Sequence, residues 1–300
     1  MTDRQLHWLG IGALLASGCL PEFDVRNSEI ERERVLAVVA EPAEARPGAL
    51  VRYEALVVSP EGRVRTPELG WTHCVTPKPL VGNNSSSPEC AYELGLPLLD
   101  ASEGLAEGRL PLDACARFGP DPPPGDARPR DPDLTGGFFQ PVRLDTWGGA
   151  WIHFQRTTCN PRNAPADIAR AFSRDYVSNR NPHITAVTVS PPSGDSTDGV
   201  DASSVLDVSI EWPPEDAEVY SWIDPRDSSL IERREGMLAS WFATAGGFAS
   251  DRTPVDEEAK ATTTSNRWSA PAEPQTVILW IVLRDSRGGS AFVERTLRVR

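Results

Sequence analysis

The sequence predicts a mostly β protein with two sandwich-sized domains. Three observations carry that expectation. The chain holds 28 prolines and 23 glycines, and both residue types break helices, so long helices are few. Apolar and polar residues alternate with a period of two, the mark of a half-buried strand. Val51, Tyr53, Ala55 and Val57 do so against Arg52 and Glu54; Leu206, Val208, Ile210 and Trp212 do so against Asp207, Ser209 and Glu211. Turn chemistry punctuates these runs, as at Pro47-Gly48 and Ser59-Pro60-Glu61-Gly62.

Residues 1–18 have the character of an export signal. The apolar run Leu6 to Ala16 is about half the ~20 residues needed to span a bilayer core. It leads into Leu15-Ala16-Ser17-Gly18-Cys19, which resembles a bacterial lipobox. That resemblance implies cleavage between Gly18 and Cys19 and a lipid on the Cys19 sulfur. The leading region departs from the pattern, because Asp3 offsets Arg4 and His7 and Trp8 interrupt the run. Leu20 stands where an inner-membrane retention signal would carry aspartate, so the resemblance favours the outer membrane. Residues 19–34 then form a lipidated N-terminus and a charged, solvated tether rich in Glu and Arg.

The first domain is expected over residues 35–180. Strands are expected at Val35 to Ala40, Leu50 to Val58 and Leu69 to Cys74. Residues 33–75 resemble the immunoglobulin-like domains of bacterial surface lipoproteins. Residues 75–141 are expected to be a long irregular insertion. Pro120, Pro122, Pro123, Pro124, Pro129 and Pro132 exclude a regular element from Phe118 to Gln140, and Cys90 and Cys115 pin the insertion. Its Asp121, Asp126, Asp131 and Asp133 are either calcium ligands without EF-hand spacing or a solvated acidic loop. Sheet character returns from Pro141 to Cys159. Asn163 as N-cap, Pro165 and the spacing of Ile168, Ala171, Phe172 and Tyr176 predict a short helix that closes the domain. Asn179-Arg180-Asn181-Pro182 is the boundary.

The second domain is expected over residues 183–300. Strands are expected near Ile184 to Val189, Leu206 to Trp212, Tyr220 to Ile223, Met237 to Thr244 and Phe292 to Val299. Val277 to Leu283 is apolar at every position, which predicts a central strand covered on both faces. Val282 to Gly289, with Trp268-Ser269-Ala270-Pro271 before it, resembles the F–G hairpin region of PKD-like and cadherin-like sandwiches. The end on Arg300, directly after a strand, suggests no sorting tail.

The chain has five cysteines. If Cys19 carries lipid, Cys74, Cys90, Cys115 and Cys159 remain, and an even set in an exported chain suggests two disulfides. The pairing Cys74–Cys159 with Cys90–Cys115 is preferred, because the first two end strand-like runs. The pairing Cys74–Cys90 with Cys115–Cys159 ranks close behind. No C-x-x-C spacing supports zinc.

Function is less legible. A net charge of −13 disfavours nucleic acid as a partner. No H-E-x-x-H, G-x-S-x-G or P-loop pattern is present, and no cofactor is implied. Apart from His7, the histidines are His73, His153 and His183, so a nucleophilic triad in the second domain is not expected. Trp147 and Trp151, around Gly148-Gly149, are either core aromatics or a flat platform for a sugar. The expectation is a non-catalytic lipoprotein of the cell envelope, a binding or structural module facing the periplasm or exterior. It is held to the membrane by its lipid and engages an envelope protein or polysaccharide. The alternative is a carbohydrate-binding module that uses exposed tryptophans.

Overall fold

A computed structural model describes residues 27–64, 70–77, 86–92, 95–97, 99–102, 104–119, 137–161, 164–190, 199–224 and 226–300. The export signal, Cys19, Asn163 and the four aspartates of the Pro-rich loop lie outside these residues.

The N-terminal part contains β1 (Arg34–Glu41), β2 (Glu44–Ala45), β3 (Leu50–Ser59), β4 (Gly62–Arg63), β5 (Gly70–His73), β6 (Leu96–Pro97), β7 (Leu99–Ser102) and β8 (Leu105–Arg109). Helix α1 (Ala114–Phe118), β9 (Gly137–Thr146), β10 (Gly149–Thr158) and helix α2 (Ala166–Asp175) follow. One sheet has the order β1-β3-β8-β7, with β4 on β3; the facing sheet has the order β2-β10-β9-β5-β6.

The C-terminal part contains β11 (Ala186–Ser190), β12 (Val205–Glu211), β13 (Val219–Ile223), β14 (Leu230–Arg234) and β15 (Met237–Ala243). These lead to β16 (Gly247–Phe248), β17 (Arg252–Val255), β18 (Thr263–Ser269), β19 (Thr276–Asp285) and β20 (Ser290–Arg298). Its sheets are β11-β12-β18-β16 and β17-β15-β19-β20, with β13-β14 as a separate hairpin. The fold is mostly β and immunoglobulin-like, as the alternation predicts.

Three apolar cores hold four sheets in a stack. In the first sandwich, Val51, Tyr53, Ala55 and Val57 of β3 meet Trp71, Val142 and Leu144 of the facing sheet. In the second, Leu206, Val208 and Ile210 of β12 meet Trp241, Leu279 and Ile281. A third core lies between the sandwiches, where Leu36, Ala37, Leu56 and Val58 pack against Trp280 and Val282. This explains the uninterrupted apolar run of β19. Its odd-numbered residues from Val277 to Leu283 line the second sandwich, and Trp280 and Val282 face the first. Alternation lets β1 serve two cores, and a register shift between Val35 and Ala37 puts the consecutive Leu36 and Ala37 into the third core while Val38 and Ala40 point into the first sandwich.

Four expectations are corrected. Residues 75–141 are not an irregular insertion throughout, because β8 pairs along β3 from Leu50↔Arg109 to Glu54↔Leu105. Its sequence, Leu-Ala-Glu-Gly-Arg, has little β character, and pairing with a strong strand overrides that weakness. Helix α2 does not simply close the first sandwich. Its Phe172 packs with Ile168 and Tyr176 against Ile223 and Leu230 of the β13-β14 hairpin. The tether is not solvated to its end: Ile30 is 1% exposed, and residues 28–30 bridge to Ala243 at the end of β15. The disulfides are Cys74–Cys90 and Cys115–Cys159, not the preferred pairing. The sequence separations are 16 and 44, for which loop closure predicts about 3 and 4 kcal/mol of stabilisation.

Strand β18 was not expected at all. Its outward residues are polar, and Asn266 and Trp268 are its two buried side chains. It is nevertheless central, paired with β12 on one side and β16 on the other.

Candidate functional site

The histidines of the first sandwich do not form an open site. His73 and His153 are both buried, and each stands edge-on to Tyr53, with ring centroids 6.2 and 6.0 Å away. The alternation of β5 and β10 turns both rings inward with Trp71 and Trp151. Burial pushes His73 down to about 4; burial, helped by the Arg284 charge, pushes His153 down to about 3. Both rings are therefore neutral in the fold. Among the described residues no group of three or more His, Cys, Asp or Glu side chains is placed to hold a metal ion.

This burial has a consequence for pH. The unfolded chain protonates its histidines near pH 6.5 and the folded chain does not, so stability falls as pH drops below ~6.5. At pH 5 each histidine should cost about 2 kcal/mol. In an NMR titration both rings should keep their neutral shifts down to pH 5. A midpoint above pH 6 for either ring would contradict this assignment.

Trp147 and Trp151 are separated by the fold. Trp151 is half-buried, packs on the first core and stacks against His153 at 6.5 Å between centroids. Trp147 sits in the β9–β10 turn and is 83% exposed. That turn is held by Thr146, whose Oγ1 donates to the Gly149 carbonyl at 2.8 Å and accepts from the Gly148 N–H at 3.2 Å. Gly149 has φ +112°, which a side chain would strain. Trp151 thus presents only part of its ring to solvent, while Trp147 projects from the turn.

The densest concentration of charge is buried at the junction of the sandwiches. Arg287, in the β19–β20 turn, is 2% exposed. Its Nε donates to Glu235 at 2.5 Å and its Nη2 to Glu218 at 2.8 Å. Its Nη1 donates to the Val177 carbonyl at 2.7 Å, and Glu44 lies 4.0 Å away. Its guanidinium also lies over the Tyr220 ring, 4.4 Å from the centroid. Glu44 belongs to the first sandwich; its carboxylate accepts from the Tyr176 hydroxyl and the Asn179 N–H, with Arg156 3.2 Å away. Asp285 turns the chain, accepting the N–H groups of Arg287, Gly288 and Gly289 at 2.8–2.9 Å.

The junction holds four buried carboxylates, Glu44, Glu218, Glu235 and Asp285, against two buried guanidiniums, Arg156 and Arg287. Arg180 adds its charge to Glu218 from the rim at 2.6 Å. Burial and the charge of Asp285 raise Glu235 to about 7, and burial also raises Asp285. The expected boundary, Asn179 to Pro182, runs through this cluster. Asn179 donates to Asp285, while Asn181 donates to the Ala40 carbonyl and accepts from the Ser290 N–H. The sandwiches are therefore tied through the segment that joins them. An open polar depression lies at the opposite end of the second sandwich, lined by Ser28, Phe248, Ser250 and Asp251.

No protein-family profile matches the chain, and no curated protein matches it. Solved structures similar to it are distant. Dimeric latent PorU from Porphyromonas gingivalis is similar over 91% of this chain and 24% of its own, at 12% identity and a TM-score of 0.21. The chain thus spans about a quarter of that protein's length. The Yersinia pseudotuberculosis adhesin InvE is similar over 88% of this chain and 58% of its own, at 11% identity and a TM-score of 0.21. The tandem Ig repeats of Dlar are similar over 90% and 98%, at 10% identity and a TM-score of 0.22. No functional argument rests on these likenesses.

Proposed function

We propose that this chain is a non-catalytic lipoprotein of the cell envelope, a rigid binding or structural module held to a membrane through Cys19. The observation that supports a structural role best is the junction. An apolar core and a buried ionic cluster join the two sandwiches. Tandem domains joined by a flexible linker would bury neither. The neutral, enclosed histidines fit a role without acid–base chemistry. The alternative, a carbohydrate-binding module using exposed tryptophans, would rest on Trp147, since Trp151 is half-buried against the first core.

The anchor reading is tested on the full chain expressed in a Gram-negative envelope. The mature N-terminus should begin at Cys19 with a lipid mass attached, and the protein should stay with membranes after an alkaline wash. Cys19→Ala should release it. A variant that remains membrane-bound would refute the anchor.

A further inference from the structure

We propose that the pole of the molecule carrying Trp147 lies against the membrane, with the indole seated at the boundary between lipid headgroups and acyl chains. The proposal rests on the lipid-anchor reading above and adds an orientation and a second contact to it.

Single exposed apolar side chains are ordinary on protein surfaces. Three observations set Trp147 apart. The first is its contrast with the other tryptophans. Trp71, Trp212, Trp241, Trp268 and Trp280 are buried, and Trp151 and Trp222 are half-buried. Trp147 alone among the described tryptophans projects into solvent, from a turn braced by Thr146 and backed by ten paired positions of β9 and β10. An amphipathic ring on a rigid tip is suited to a lipid interface, where tryptophan is enriched.

The second observation is position. β10 runs parallel to β2, with Arg156 opposite Glu44, and β2 continues the course of β1. The Gly149 end of β10 is therefore the end at which β1 begins. The far end agrees: Gln155 of β10 donates to the Ala43 carbonyl, just past the end of β1, at 3.0 Å. The chain enters the fold at the same pole, where residues 28–30 are fastened to the last residue of β15. Eight steps separate Cys19 from Asn27, the first described residue, and they reach at most ~29 Å. A lipid on Cys19 would hold this pole, rather than the ionic end of the junction, near the bilayer.

The third observation is charge. The chain carries −13, so a basic patch is not the expected means of membrane contact. The carboxylate nearest the tip in sequence, Asp145, is paired with Arg143 at 3.1 Å. Its charge is compensated as the turn approaches lipid. The partner surface is therefore the headgroup–acyl boundary of zwitterionic lipid.

The test uses the full-length lipidated protein in phosphatidylethanolamine vesicles that contain phosphatidylcholine with brominated acyl chains. Subtracting the emission of Trp147→Ser isolates Trp147, and Trp147→Tyr replaces that variant if serine lowers the melting temperature. We expect the difference emission to be quenched about twofold or more by the brominated chains and shielded from aqueous acrylamide. Quenching by acrylamide with none by bromine overturns the proposal. The mass of the N-terminus is read from the same sample. Lipidated protein with a wet Trp147 refutes the orientation alone, whereas protein without lipid refutes the anchor and the orientation together. Trp147 emission that answers to envelope polysaccharide and not to lipid assigns the residue to a sugar and also overturns the proposal.

Discussion

Replacing Arg287 with methionine is expected to destabilise the protein by about 3–5 kcal/mol, because the carboxylates around it stay buried without their cation. Glu235 and Glu218 each accept a hydrogen bond from the guanidinium, and both side chains are almost fully enclosed. Methionine fills much of the volume and supplies no donor. The cost should depend on pH in a defined direction. Glu235 is already raised to about 7 with Arg287 present. A carboxyl raised in the fold retains a proton that the unfolded chain releases near its ordinary value. Stability therefore falls as pH rises through that window. Without Arg287 the window extends upward, so the variant should lose more stability at pH 8 than at pH 5. Urea unfolding at both values measures it. A loss below about 1 kcal/mol, or an equal loss at both values, would show that the junction does not depend on this pairing. The double variant Arg287→Met/Glu235→Gln should recover part of the loss, since the removed charge no longer needs a partner.

Trp280→Ala is the second large effect, at about 3–5 kcal/mol. Trp280 is fully buried in the third core, and its indole donates to Glu294 at 2.8 Å. Alanine would leave a cavity between Leu36, Leu56 and Val58 on one side and β19 on the other. The loss should fall on the contact between the sandwiches more than on either interior. Hydrogen exchange should accelerate in β1 and β3 and stay slow in β12. Uniform acceleration across both sandwiches would show instead that they unfold as one cooperative unit. Trp280→Phe keeps most of the apolar volume and should cost less than half as much, leaving mainly the lost indole hydrogen bond.

The two variants probe different parts of one interface. The apolar part lies where β1 and β3 meet β19. The ionic part lies at the end of the sheets, where the β19–β20 turn meets β2 and the segment after α2. Arg284 connects them, donating to the Leu36 carbonyl at 2.7 Å. The Ser290 hydroxyl does the same for the Val38 carbonyl at 2.9 Å. These bonds tie β1 to β19 and β20 beside the apolar contact.

Much of the strand pattern could be read from the chain alone. Period-two alternation and turn residues are local, and they correctly place β1, β3, β5, β12, β15, β19 and β20. The double coverage of β19 was legible too, because an apolar residue at every position requires two cores. The material covering its second face was not legible, since nothing near Trp280 in sequence names Leu36 or Val58. Of the candidate surface, Trp147 was marked by its glycines. Its exposure and the inward turn of Trp151 depend on where the hairpin ends. Arg287 looked like an ordinary turn residue between Ser286 and Gly288.

The sequence by itself determined the fold class, the pair of disulfides as a count, and the faces of the strong strands. The fold class and the strand faces follow from composition and short-range spacing, and the count of two from setting Cys19 aside. Tertiary structure alone decided that Cys74 pairs with Cys90, that a Leu-Ala-Glu-Gly-Arg segment becomes a paired strand, and that α2 lies on the β13-β14 hairpin. It also decided that a turn arginine becomes the buried centre of the ionic cluster. Each of these depends on which distant segments meet, and burial, pairing and charge compensation are set by that meeting.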